Sequence, residues 1–171
     1  MAAKIKVDQI ETVDGSGTIA LQNQLSGMTS ASMPTGSVLQ VVQATTGTQV
    51  ASSSTSKADT GLTASITPSS TSNKILVTIS QLGLDKRSSD TYMDLITLRG
   101  STEIHSANAQ LLYDGSSNND TGSCTWSYLD SPSSTSSVTY KTQFSSVSGT
   151  AQVACQWNSA TSTIILQEIA G

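Results

Sequence analysis

This sequence predicts an all-β fold: an antiparallel β-sandwich or jelly roll of about eight strands, preceded by an extended N-terminal arm. Three observations lead there. Serine and threonine supply about a third of the 171 residues, while charged residues supply only 12%. Short alternating apolar runs recur along the chain and are separated by Gly, Asp, Asn and Ser clusters. No segment sustains a 3.6-residue apolar period over three turns, which argues against a helical bundle. A Ser/Thr/Gly-rich chain is open to the suspicion of disorder. The net charge of −4 is too small for strong self-repulsion, and the apolar runs are long enough for strands.

The strand expectations follow from the residues in order. VLQVV at 38–42 comes first. GLTASITP at 61–68 alternates Leu62, Ala64 and Ile66. NKILVTISQL at 73–82 is the strongest apolar stretch. TYMDLITLR at 91–99 alternates Met93, Leu95, Thr97 and Arg99 against Tyr92, Asp94, Ile96 and Leu98. The run 121–129 puts Cys124, Trp126 and Tyr128 on one face. Runs at 137–144, 150–157 and 162–169 complete the set. Turn chemistry fills the gaps, in DKRSSD at 85–90, DGSSNNDTG at 114–122 and SPSSTS at 131–136. Sheets of this kind bury one face, and Thr and Ser suit the other.

Residues 1–35 read differently from residues 36–171. Ile5 and Val7 alternate, as do Ile19 and Leu21, around an Asp14-Gly15-Ser16-Gly17 turn. These apolar residues are too few for a core of their own. Residues 26–36 have linker composition. The arm is therefore expected to lie on a partner or to bundle with its own copies. Ile5, Val7, Ile10, Ile19 and Leu21 would be the anchor or oligomer contacts, and a symmetric closed assembly would bury them.

Composition excludes several function classes. The eight basic residues are scattered and the pI is near 4.6, so no positive stripe for nucleic acid exists. No run approaches the ~20 apolar residues of a membrane span, and residues 1–6 lack the apolar stretch of a secretory signal. His105 is the single histidine, and no G-x-S-x-G elbow or G-x-x-x-x-G-K-[ST] loop occurs. The three glutamates, Glu11, Glu103 and Glu168, are dispersed, which argues against a glycosidase pair. The run from Asp114 to Asp120 starts like a calcium loop, but Asn119 stands where Gly is needed and Thr125 where the bidentate Glu belongs. No enzyme activity, catalytic group, metal or cofactor is expected. Cys124 and Cys155 either face each other across paired strands or are two packed, reduced thiols.

Three phrases carry a resemblance. ITPSSTSNKILV at 66–77, LDSPSSTSSVTY at 129–140 and STIILQEI at 162–169 resemble, in order and spacing, the C-terminal domain of tail-fibre-like proteins of marine and cyanobacterial phages. The phrases I-x-V-D-x-I and D-G-S-G-T-I-x-L near the N-terminus resemble fibre-shaft or attachment segments. The resemblance implies a virion component, usually homotrimeric, with a β-sandwich head. The expected role is a tail-fibre or head-fibre subunit that exposes its head for host-surface attachment. The alternative is a capsid decoration or cement protein with a purely architectural role. Expected partners are copies of the chain, other virion proteins through residues 1–35, and a host-surface glycan or protein. Nucleic acid and membrane insertion are not expected. Host contact is expected from loops 85–90 and 114–120, through Lys86, Arg87, Asp114, Ser116, Asn118, Asn119 and Asp120.

Overall fold

The computed structural model describes residues 33–107 and 110–171, and these form two antiparallel sheets packed face to face. Ten strands follow one another: β1 (Val38–Thr46), β2 (Val50–Ser52), β3 (Ala58–Ile66), β4 (Lys74–Lys86), β5 (Met93–Arg99), β6 (Thr102–Ser106), β7 (Asp120–Asp130), β8 (Val138–Ser146), β9 (Val153–Cys155) and β10 (Ser162–Ile169). The expected β-sandwich is present, with two short strands more than the alternation indicated. The arm contacts assigned to Ile5, Val7, Ile10, Ile19 and Leu21 lie outside the described residues.

β4 organises the larger sheet. Its first half, Lys74–Ser80, pairs with β10, which in turn pairs with β1. Its far end, Asp85 and Lys86, pairs with β9, which pairs with β2. β7 runs along the other side of both halves. At 13 residues, β4 spans about 40 Å. The second sheet has the order β3-β8-β5-β6.

The change of partner along β4 requires a local break. The β4–β7 register shifts between Gln81 and Leu84, a bulge that contains Gly83. Gly83 has φ of 59°, which favours glycine. A Cβ there would also lie 2.6 Å from the Trp157 amide nitrogen. That space is filled by the turn at Trp157–Ser159, where the chain leaves β9 before entering β10.

The core is divided in two. Leu62, Ile66, Ile75, Val77, Ile79, Tyr140, Ile164 and Leu166 form one cluster, toward the N-terminal end of β4. Leu84, Met93, Leu95, Phe144, Val153 and Cys155 form the other. A buried polar layer lies at the level of the bulge. The Thr60 and Thr142 hydroxyls bond to each other, and Thr142 donates to Gln81 Oε1 at 3.1 Å. Gln81 Nε2 donates to Ser162 Oγ at 3.1 Å, and so does the Leu82 amide at 2.9 Å. With its amide oriented to satisfy both atoms, Gln156 donates to the carbonyls of Thr60 and Thr48 and accepts from Ser162 and Gln81. Every member has a partner, as a low-dielectric interior demands. Both cysteines are free, and Cys155 packs against the Met93 sulfur. Burial pushes the Cys155 thiol well above its ordinary value. Packed, reduced thiols are thus the reading that holds.

Polar ties also close the end at which the described chain begins. Asp130 accepts from the Tyr140 hydroxyl at 2.7 Å and from Arg99 Nη1 at 2.9 Å, which joins the two sheets. Glu168 is buried and accepts from Ser69 N (2.6 Å), Ser69 Oγ (2.8 Å), Asn73 Nδ2 (2.6 Å) and Gln40 Nε2 (2.6 Å). Burial pushes its carboxyl upward, but the donors from Asn73, Gln40 and Ser69 together outweigh that and hold it below the ordinary value. All three phrases of the fibre resemblance contribute to these ties: Ser69 and Asn73, Asp130 and Tyr140, and Glu168.

Two predictions follow from these contacts. Gly83→Ala should cost about 2–5 kcal/mol in urea unfolding, from left-handed strain plus overpacking. Gly100→Ala has the same φ of 59° but open space around it, so it should cost only about 1–2 kcal/mol. Equal losses would mean that the contact with Trp157 is unimportant. For Glu168, a lowered folded-state pKa gives stability that is present above the unfolded value of about 4.3 and lost as the pH falls through the folded value. Glu168→Gln should therefore flatten the acid limb of stability against pH, and should lose about 1–3 kcal/mol at pH 7.

Candidate functional site

The two ends of the sandwich differ in what they carry. Residue 36 meets Ala170 through a backbone bond of 2.8 Å, so the described chain enters beside its own C-terminus. The turns 67–73, 100–101 and 131–137 lie at that end, because β4 begins there and its neighbours run antiparallel to it. At the far end lie loops 53–57, 87–92 and 147–152, together with residues 110–119 ahead of β7. Both loops singled out from sequence fall at this far end.

The structure brings those two loops into contact. Ser89 N donates to Asn118 Oδ1 at 3.0 Å, and Arg87 Nη1 donates to Asn119 Oδ1 at 3.3 Å. The Asp114 carbonyl accepts from the Asp90 amide at 3.4 Å. The Tyr113 hydroxyl donates to Asp90 Oδ1 at 3.0 Å, and the Tyr113 ring meets Tyr92 edge-on with centroids 6.1 Å apart. That hydrogen bond to the Asp90 carboxylate pushes the Tyr113 phenol above its ordinary value. Tyr113 remains 50% exposed.

The seven residues expected to make contact divide by exposure. Asp114, Ser116, Asn118 and Asn119 are exposed. Lys86 is not: it is fully buried, at 0%, and offers no surface to a partner. Its ammonium donates to the Asp114 carbonyl at 2.7 Å and pairs with Asp120 at 3.1 Å. It belongs to the end of β4 rather than to a loop, and it pins the 114–120 segment from beneath. Arg87 is half-buried, with its guanidinium 3.8 Å above the Trp157 ring and its Nε 2.5 Å from Asp85. Asp85 is buried, and desolvation raises its pKa despite that arginine. Asp120 is half-buried beside Lys86.

The resemblance of 114–120 to a calcium loop has a local explanation. Asp114 Oδ1 accepts from Ser116 N at 2.8 Å, Ser116 Oγ at 2.7 Å and Ser117 N at 3.2 Å. The side chain caps its own turn, and those three donors hold its pKa below the ordinary value. Among the described residues, no group of three or more His, Cys, Asp or Glu side chains is placed to hold a metal ion. His105 sits on β6 and stacks on Trp126, with Tyr128 5.6 Å away, which closes the open side between the sheets. Glu103 is exposed on the same strand, whereas Glu168 is committed to its four donors.

Sequence reasoning missed Tyr92, Tyr113 and Trp157 as members of the far-end cluster. Tyr113 directly precedes the DGSS turn, and an aromatic beside a turn signal was the available cue. Trp157 looked like the end of a strand because the AQVACQW run alternates up to it. The positive φ values of Gln156 and Asn158 break that strand.

No family model matches the chain, and no curated protein sequence matches it.

The role of Lys86 as a pin gives a direct test. Lys86→Met keeps the aliphatic bulk but leaves the Asp114 carbonyl and Asp120 without their cation. It should lose about 1–3 kcal/mol of stability and speed hydrogen exchange at the Ser116 and Ser117 amides. A variant as stable as the natural chain, with unchanged exchange, would show that the ammonium is not what holds the loop.

Proposed function

We propose that this chain is a bacteriophage fibre subunit, anchored in the virion by its N-terminal residues and presenting a trimeric head for attachment to a host surface. The observation that carries the reading is the polarity of the sandwich. The chain enters at one end, and the tied loops 87–92 and 113–119 stand at the other, about 40 Å along β4. An attachment subunit needs that separation between the end that is held and the end that is offered. The phrases resembling tail-fibre-like proteins supply the virion context.

The far end has the chemistry of a weak polar recognition surface. Tyr113 offers an exposed ring, while Asp114, Asn118 and Asn119 offer donors and acceptors held in place by Lys86 and Arg87. Rings of this kind suit stacking against sugars or amphipathic protein surfaces. Several heads on one particle would multiply a weak single-site affinity. A glycan or an outer-surface protein of the host is the partner that fits.

Two experiments test this reading. Deleting 114–120 would strip Lys86 of both partners, so point substitutions are the cleaner probe. Tyr113→Ala combined with Asn118→Ala should reduce binding of fluorescent purified protein to host cells at least tenfold, while the protein still unfolds in one cooperative transition. Unaltered binding would remove these loops as the contact. Gold-labelled antibodies against the far end should mark projecting tips in electron micrographs of virions. Even labelling over the shell would instead favour an architectural decoration protein.

A further inference from the structure

The two outer faces of the sandwich carry very different charge. The outer face of the β3-β8-β5-β6 sheet presents Asp59, Lys141, Asp94 and Glu103. Asp59 pairs with Lys141 at 2.9 Å, and Asp94 with Lys57 at 3.4 Å. Such a face is built for water. Where β1, β10, β4 and β7 lie side by side, the outward positions of the other sheet carry only one charge, Lys74. The rest are Thr, Ser, Gln and six apolar side chains.

Register places those six side chains together. One row across the strands is Val38, Ile169 and Lys74. The next is Val41, Gln167, Leu76 and Leu129, and Ile165 stands in the third row. Val38, Val41 and Leu129 are 50%, 58% and 47% exposed. The apolar rows lie at the end where the described chain enters, beside Gly36 and Ala170. A contiguous apolar patch on a face almost free of charge marks an interaction surface.

We infer that this face is where copies of the chain pack together, as a three-sided prism with the outer faces of the three β1-β10-β4-β7 sheets turned toward a common axis. This surface rests on the trimeric part of the proposed function, for which it supplies the contact. The geometry favours three copies. Four strands make a face about 19 Å wide, so a triangular prism of that side sets each sheet about 5.5 Å from the axis. Packed sheets lie ~10 Å apart, about 5 Å each from their midplane, so the side chains of three faces meet at the axis without a void. The face is about 30 Å long, a footprint of roughly 600 Å², which is on the scale of the ~800 Å² each partner buries in a stable complex.

The edges point the same way. Among the described residues, β1 pairs only with β10 and β7 only with β4, so each leaves one open edge. Open edges invite association and are usually covered. A prism brings the β1 edge of one copy to the β7 edge of the next at each corner, whereas a face-to-face pair would not close both. Lys74 sits in the outermost row, where its ammonium reaches water at the open end of the axis.

Val41 and Leu129 occupy the same row at opposite edges of the face. In the prism they therefore meet at every corner, at one height. Within one chain they are separated by two strands, too far apart for a disulfide. The test uses the full-length chain carrying both Val41→Cys and Leu129→Cys, oxidised and run on a non-reducing gel. A covalent trimer is expected, and neither single variant should form one. Covalent dimers alone would replace the prism with a face-to-face pair, and no cross-linking would overturn the interface. As a second measurement, the natural chain should sediment as a trimer and Val41→Lys should shift it toward monomer. A Val41→Lys variant that stays fully trimeric would also overturn it. Both measurements read assembly alone, so their failure would leave host binding by the far-end loops to be judged separately.

Discussion

Everything in this molecule is arranged around the length of β4 and the bulge that lets it change partners. A 13-residue strand is longer than either β10 or β9 can match, so two separate strands share one of its sides. The chain must leave β9 and re-enter as β10 at the level of the bulge. Gly83 makes this possible, because only a residue without a side chain lets the Trp157 turn sit against the strand. The same break separates the two hydrophobic clusters and makes the two ends of the sandwich chemically distinct.

The Ser/Thr-rich composition acquires a physical role from that arrangement. Where the apolar clusters part, Thr60, Thr142, Gln81, Ser162 and Gln156 fill the gap with a closed set of hydrogen bonds. Three small hydroxyls and two glutamine amides satisfy one another there at close range. The layer fixes register as well as filling space, since a slip of one residue would leave several of these groups unpaired. Elsewhere, Ser and Thr line the outward positions of strands and the turns. A composition that suggests disorder thus serves both the inside and the outside of a sandwich.

Much of this was legible in the sequence. The alternation in 162–169 gave β10 with its true bounds, and the Cys124-Trp126-Tyr128 face turns inward as the period of two requires. What escaped was short or polar. β2 has three residues and β6 reads TEIHS, so neither shows a hydrophobic signal. The candidate site was half legible. Turn residues located loops 85–90 and 114–120, but nothing local revealed that the two loops touch. Nor could the sequence show that Lys86 points inward. A lysine beside a turn normally faces solvent, and only the Asp114 carbonyl and Asp120, brought in by the rest of the fold, make its burial tolerable.

The proposed packing of copies uses one face near the entry of the chain, and the proposed host contact uses the opposite end. Both depend on β4 transmitting rigidity across the bulge. Native-state hydrogen exchange tests that dependence most directly, by comparing amides of Val77 and Ile79 with those of Leu84 and Lys86. If β4 is a single spine, the two groups exchange with the same opening free energy and the same denaturant dependence, equal to those of global unfolding. If Leu84 and Lys86 open separately, at lower free energy and with little denaturant dependence while Val77 and Ile79 stay protected, the bulge divides the molecule and the account is wrong.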